Sequence, residues 1–159
     1  MTTIRRGFTL IEIVVVLAIV AILAAIALPG IQDRLVRQQV VEAMAIAEIA
    51  KPVIAASWAV AHVLPADNAA AGLPVAEKIV GNLVSSVSVE NGAIHVSFGN
   101  RASAAIRGKT LTLRPAVVED ASIVPVAWVC GHAAAVDKMA AKGVDRTDVA
   151  PNFLPLNCR

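Results

Sequence analysis

Glu12 is the only charged side chain between Phe8 and Leu28 in an otherwise apolar run. As a helix, at ~1.5 Å per residue, this run spans ~32 Å, enough to cross a bilayer core of ~30 Å. An unpaired carboxylate near the end of such a span costs on the order of 3 kcal/mol. Such an acid either meets a cation or lies unpartnered at headgroup level. The second reactive pair is Cys130 and Cys158, both late in the chain. Behind a membrane anchor, in an exported domain, a disulfide is the natural reading, with two separate buried thiols as the alternative. A loop of that length gains roughly 3–4 kcal/mol from closure.

The remaining chemistry is sparse. His62, His95 and His132 are scattered, and no HExxH or Cys/His metal spacing occurs. Asp145-x-x-Asp148 has acids that could ligate calcium, although a solvated loop is the simpler reading. Ser85, Ser86 and Ser88 lie on the polar face of an expected strand and lack a GxSxG context. No asparagine begins an N-x-Ser/Thr sequon; Ser57 and Ser103 could carry glycans, but no signal marks them. Trp58 and Trp128 suit packing between helix and sheet. With no tyrosine and 3% aromatic residues, a stacked electron path has little material. No clustered catalytic or metal-ligating set is present, so no enzyme activity and no cofactor is expected.

These residues need elements to hold them. The 159 residues suffice for one domain plus an anchor. Hydrophobic residues make up 57%, with a mean hydropathy of +0.71. The net charge is +2, and setting aside residues 1–7 leaves 12 basic and 12 acidic side chains. That balance argues against nucleic-acid binding driven by bulk charge. Arg5 and Arg6 precede the apolar run, which places the N-terminus in the cytoplasm and the rest of the chain outside. A secretory signal peptide fits less well, because the run is long and Ala24-Ala25-Ile26-Ala27 is a weak cleavage site.

Pro29-Gly30 predicts a kink or local loosening. Ile31, Leu35, Val36, Val40, Met44, Ala47 and Ile54 then recur at helical spacing, with Pro52 bending the helix or moving its end. Phe8 to Ala61 would make a rod of ~80 Å. Residues 62–81 read as a long loop, with a short helical stretch at Val75–Val80. Leu83–Val89 and Ala93–Phe98 alternate as strands around the turn Glu90-Asn91-Gly92. Lys109–Pro115 and Val124–Cys130 make a third and fourth strand, Pro125 favouring an edge or a strand start. Ala133–Ala141 reads as an alanine-rich turn. The expected fold is α+β: a long N-terminal helix packed on an antiparallel sheet of about four strands, with a disulfide-closed C-terminal loop.

Arg5-Arg6-Gly7-Phe8-Thr9-Leu10-Ile11-Glu12 resembles the prepilin leader and cleavage motif of the type IV pilin family. Pro29 sits where that family commonly has a helix proline, and the late cysteines resemble the disulfide pair of its type IVa branch. Many members carry a glycine where this chain has Ala21, so any melting of the helix would rest on Pro29-Gly30. The resemblance implies cleavage between Gly7 and Phe8 by a prepilin peptidase, then N-methylation of Phe8. Residues 1–7 would be a leader, 8–30 a transmembrane and filament-core helix, and 31–159 the globular domain. Phe8 and Glu12 would direct assembly. The implied protein is a structural subunit, held in the inner membrane and then polymerised with its own kind by inner-membrane machinery. The resulting extracellular fibre would serve adhesion, through an unidentified receptor, and twitching motility, with DNA uptake as a further role. A minor pilin or type II secretion pseudopilin is the alternative, and a single-pass anchored binding protein or enzyme the more remote one.

Overall fold

The computed structural model describes residues 7–159, without the side chains of residues 27–30. Most of the expected leader, including Arg5 and Arg6, lies outside the described residues. By internal packing the chain divides after Leu35.

Helix α1 runs over Leu10–Ala47. From Leu10 to Ile26 every side chain is exposed among the described residues, and the run, Glu12 apart, is apolar on all sides. From Val36 the helix changes character. Val36, Val40, Ala43 and Ala47 are buried, and the stripe continues through Ala50, Ile54 and Trp58. Steps of four and three keep these positions on one face. Ile31 and Leu35, expected in the stripe, are exposed, and Met44 is half-buried. The core of the globular part begins only at Val36, and the stripe takes Ala43 in place of Met44, with Ala50 joining the expected Ala47. The helix assignment includes Pro29 and Gly30, but the expected kink there rests on side chains outside the described residues.

The expected uninterrupted helix to Ala61 is corrected. α1 stops at Ala47, a turn follows, and α2 spans Lys51–Ala61. Pro52 would press its ring on the carbonyl of Glu48 in a continuous helix and has no N–H to give. The chain tightens instead: the amides of Glu48, Ile49 and Ala50 donate to the carbonyls of Ala45, Ile46 and Ala47. Pro52 then occupies the first turn of α2, where its missing N–H costs nothing. His62 closes α2 in a left-handed conformation, φ 55°.

The antiparallel sheet contains β1 Val84–Glu90, β2 Ala93–Phe98, β3 Thr110–Val117 and β4 Ala127–Cys130, in that order. Asn91 (φ 48°) and Gly92 (φ 82°) make the predicted tight turn between β1 and β2. The short β5, Ala140–Ala141, was expected as part of a turn; it pairs with Ala116 and Val117 of β3, extending the line of β2 beyond that turn. The fourth strand starts at Ala127 rather than Val124, since Pro125 lies in the preceding loop, where Val124 donates back to Ala121. The expected helical stretch at Val75–Val80 is a single 3-10 turn, Ala76–Lys78. Val87, Val89, Ile94, Val96, Phe98, Leu111 and Leu113 form the core side of the sheet with the helix stripe. β1 is an edge strand, and buried Asn68 covers it. The Asn68 side-chain amide donates to Val87 O at 3.0 Å and Pro74 O at 2.9 Å, and its carbonyl accepts the Val89 N–H at 2.6 Å.

Cys130 and Cys158 are joined as expected, with both residues buried in the core. Arg114 also holds the start of the loop they close, donating to Gly131 O and Ala133 O at 3.2 and 3.3 Å.

Two expectations follow for full-length protein in detergent. Ile54→Ala should cost about 2–5 kcal/mol in a denaturant melt, while Val60→Ala, on the same helix but 85% exposed, should change stability by less than about 0.5 kcal/mol. Equal losses would contradict the buried stripe. Replacing both cysteines by serine should cost roughly 3–4 kcal/mol by the loop-entropy relation while leaving the helical circular-dichroism signal in place.

Candidate functional site

The start of α1 concentrates the chemistry. An α-helix leaves its first four N–H groups without helical partners, and in a membrane no water replaces them. Here Thr9 and Glu12 satisfy two of them reciprocally. The Glu12 N–H donates to Thr9 Oγ1 at 3.3 Å, and the Thr9 N–H donates to Glu12 Oε2 at 3.5 Å. Ile13 N–H reaches Thr9 O at 3.3 Å. This is a capping box, and Thr-x-x-Glu ahead of an apolar run is its sequence signature. Thr9 is therefore a capping residue of the site that the sequence did not single out, although its signal was present. The acid also stands at the positive end of the helix dipole, where a carboxylate is favoured. Its contact with Thr9 is long and uses one oxygen, so the carboxylate keeps capacity for a second donor.

Gly7 and Phe8 precede the helix in non-helical backbone, and Phe8 is 73% exposed. A Cβ added at Gly7 would meet no atom within 4 Å. Among the described residues, none stands close enough to require glycine there. Among the described residues Glu12 makes no ion pair. α1 is long and apolar enough, by length and composition, to cross a membrane.

The other candidates are occupied structurally. His62 caps α2 with its ring 5.7 Å from that of Trp58. His132 Nδ1 lies 3.0 Å from Asp145 Oδ2. Burial alone would raise the Asp145 carboxyl, but hydrogen bonds from Thr147 and His132 outweigh it and hold the group below its usual range. Asp148 accepts the Thr110 N–H at 2.5 Å and so fastens its loop to the sheet, while Asp145 accepts the Thr147 N–H at 2.9 Å within that loop. Among the described residues no three His, Cys, Asp or Glu side chains converge as metal ligands. Ser57 Oγ donates to Val63 O at 2.7 Å, and Ser103 Oγ accepts the Ala105 N–H at 3.4 Å. Trp58 is buried in the helix stripe, and Trp128 packs against the core with Lys51 Nζ 5.6 Å from its ring centre.

Comparison with known proteins points the same way. A family model described as Pilin (bacterial filament) matches residues 36–159, and one described as the prokaryotic N-terminal methylation motif matches residues 3–28. A fimbrial protein of Neisseria meningitidis serogroup B is 37% identical, covering 100% of this chain and 96% of the relative. A type IV major pilin protein of Neisseria gonorrhoeae is 41% identical over 83% of this chain and 77% of its own length. The fimbrial protein EcpC of Eikenella corrodens is 40% identical over 98% of this chain and 92% of its own. An apolar helix with a capped acid at its head, a helix stripe packed on an antiparallel sheet, and these matches together place the chain in the pilin family of bacterial filament proteins.

Proposed function

We propose that the chain is the structural subunit of a type IV pilus, matured by cleavage between Gly7 and Phe8 and N-methylation of Phe8. The observation that carries this reading is the helix from Leu10 to Ile26, uncovered on every side and headed by Glu12, within the span of the methylation motif. Such a helix needs lipid or other copies of itself around it.

Cleavage would change the electrostatics at this end. The Phe8 peptide nitrogen becomes an ammonium group beside the positive end of a helix dipole, an unfavourable place for a cation. Glu12 is the acid at hand to balance it, on the same chain or a neighbouring one. In an apolar bundle a lone acid is costly and a paired one tolerable, so one charge pair can set the spacing between subunits. The exposed, non-helical Gly7–Phe8 peptide, with open space beside the Gly7 α-carbon among the described residues, suits a membrane peptidase. Before assembly the chain sits in the inner membrane with its N-terminus cytoplasmic; inner-membrane machinery then draws it into an extracellular fibre. The sheet domains form the fibre's surface, available for adhesion and twitching motility.

The mature protein should begin at N-methylated Phe8. Intact-mass measurement of protein from sheared fibres decides this, and a start beyond Ala27 would sink the reading. Glu12→Ala should leave the precursor inserted, cleaved and disulfide-bonded. Its fibre yield should fall by more than about tenfold, the factor that follows from losing each ~1.4 kcal/mol of contact. Glu12→Lys should be worse, since it adds a second cation. Immunoblots of sheared fibres against membrane-held subunit measure both; undiminished fibre yield from Glu12→Ala would remove the charge pair from the account.

A further inference from the structure

The polar face of the sheet, away from the helix stripe, carries a buried histidine within a cluster of polar and charged side chains. Glu90 of β1, His95 of β2 and Thr112 of β3 meet there, with His95 opposite Ser88 on one side and Thr112 on the other. The His95 side chain is 4% exposed. Its Nδ1 lies 2.9 Å from Thr112 Oγ1, and its Nε2 lies 3.4 Å from Glu90 Oε2 without a directed hydrogen bond. Glu90 is shared with Arg146, whose Nη2 donates to Oε1 at 2.8 Å.

Arg146 belongs to a segment laid along β3. Its backbone N–H donates to Thr112 Oγ1 at 3.0 Å, and Thr112 N–H donates to Thr147 Oγ1 at 3.1 Å. Asp148 N–H donates to Thr110 O at 3.1 Å, and Lys109 Nζ lies 3.4 Å from Asp148 Oδ2. β4 pairs with β3 only from Leu113 onward, so Asp145–Asp148 supplies the partners that β4 no longer reaches. The disulfide and Arg114 tether the ends of the loop independently.

We propose that His95 is the trigger of an acid-released clasp that holds Asp145–Asp148 on the edge of β3. In the neutral ring, Nδ1 accepts the Thr112 O–H and Nε2 carries its proton toward Glu90. Thr112 Oγ1 then accepts from Arg146 N–H and donates to His95 Nδ1, so Thr112 uses both its donor and its acceptor, while His95 Nε2 keeps no directed partner. Protonation puts hydrogen on both ring nitrogens. Thr112 loses the acceptor for its O–H, and a second cation appears beside Arg146 on the same carboxylate. The charged and titratable groups facing His95 are Glu90 from β1 and Arg146 and Asp145 from the loop. Burial, and then the Arg146 guanidinium, push the imidazole below its usual range against the opposing pull of Glu90 and Asp145. The open form binds the proton more readily than the closed one. The clasp is therefore fully held above the ordinary histidine value of ~6.5 and is weakened as pH falls through and below it. Opening bares the Thr110 and Thr112 backbone on the sheet edge while the loop ends stay in place.

Hydrogen exchange on the full-length chain in detergent, corrected for intrinsic rates, tests this at about pH 7.5 and about pH 5.5, either side of the ordinary histidine range. The amides of Thr112, Arg146 and Asp148 should lose protection by about tenfold at the lower pH. The Val87–Val96 pairing should hold its protection. In His95→Gln the pH dependence of the three amides should vanish. Unchanged protection in the wild type, or a tenfold loss that persists in His95→Gln, would overturn the proposal. If that variant does not fold, the imidazole resonance of His95 in the wild type replaces it. Its titration midpoint must coincide with that of the amide loss, and a mismatch overturns the clasp equally.

Discussion

One helix has to satisfy two different surroundings in succession, and the rest of the chain is arranged around that constraint. Up to Ile26 its side chains, Glu12 apart, are apolar and, among the described residues, uncovered all round. From Val36 only one stripe is buried, and it is buried by this chain's own sheet. The change lies in the width of the apolar face. An all-round apolar surface needs lipid or identical helices, whereas a stripe at steps of four and three needs a single partner. In that stripe Ala43, Ala47 and Ala50 contribute little side-chain volume, and Ile54 and the strand residues supply most of it.

The head of the helix carries the electrostatic cost of the first regime. Three demands fall on the same few atoms: unpartnered N–H groups, a lone acid, and the cation that cleavage at Gly7–Phe8 would create. The capping box answers the first with Thr9 and Glu12. It leaves carboxylate capacity for the third. The same acid can thus cap its own chain before assembly and join a charge pair within the fibre. A charge that would be a defect in a plain membrane anchor is consistent with a helix meant to find a partner in one register.

Much of this was legible in the residues, and the gaps have physical causes. Asn91-Gly92 announces its turn because both residues take positive φ readily. Cys130 and Cys158 announce their bond through context. The buried stripe was only half legible, since alanine is as ready to be exposed as buried and its role depends on what packs opposite. Pro52 marked a disturbance, but its steric effect acts one turn upstream, so the break falls at residues 48–50. Asn68 gave no local sign; its value depends on an edge strand some 20 residues later, Val89 lying 21 residues on. β5 is two alanines, recognisable as a strand only once β3 is there to pair with it. In the candidate site, Glu12 stood out as an isolated charge, whereas Thr9 was overlooked because its partner is a backbone amide.

The central claim is that the carboxylate of Glu12 meets the amino group of Phe8 on another subunit. Fibres assembled from a mixture of isotopically heavy and light chains, treated with a zero-length carbodiimide and digested, test it directly. The account predicts a Glu12–Phe8 amide in peptides that combine one heavy and one light half. Links formed only within chains of one isotope, or none at all while other carboxylates react, would contradict it.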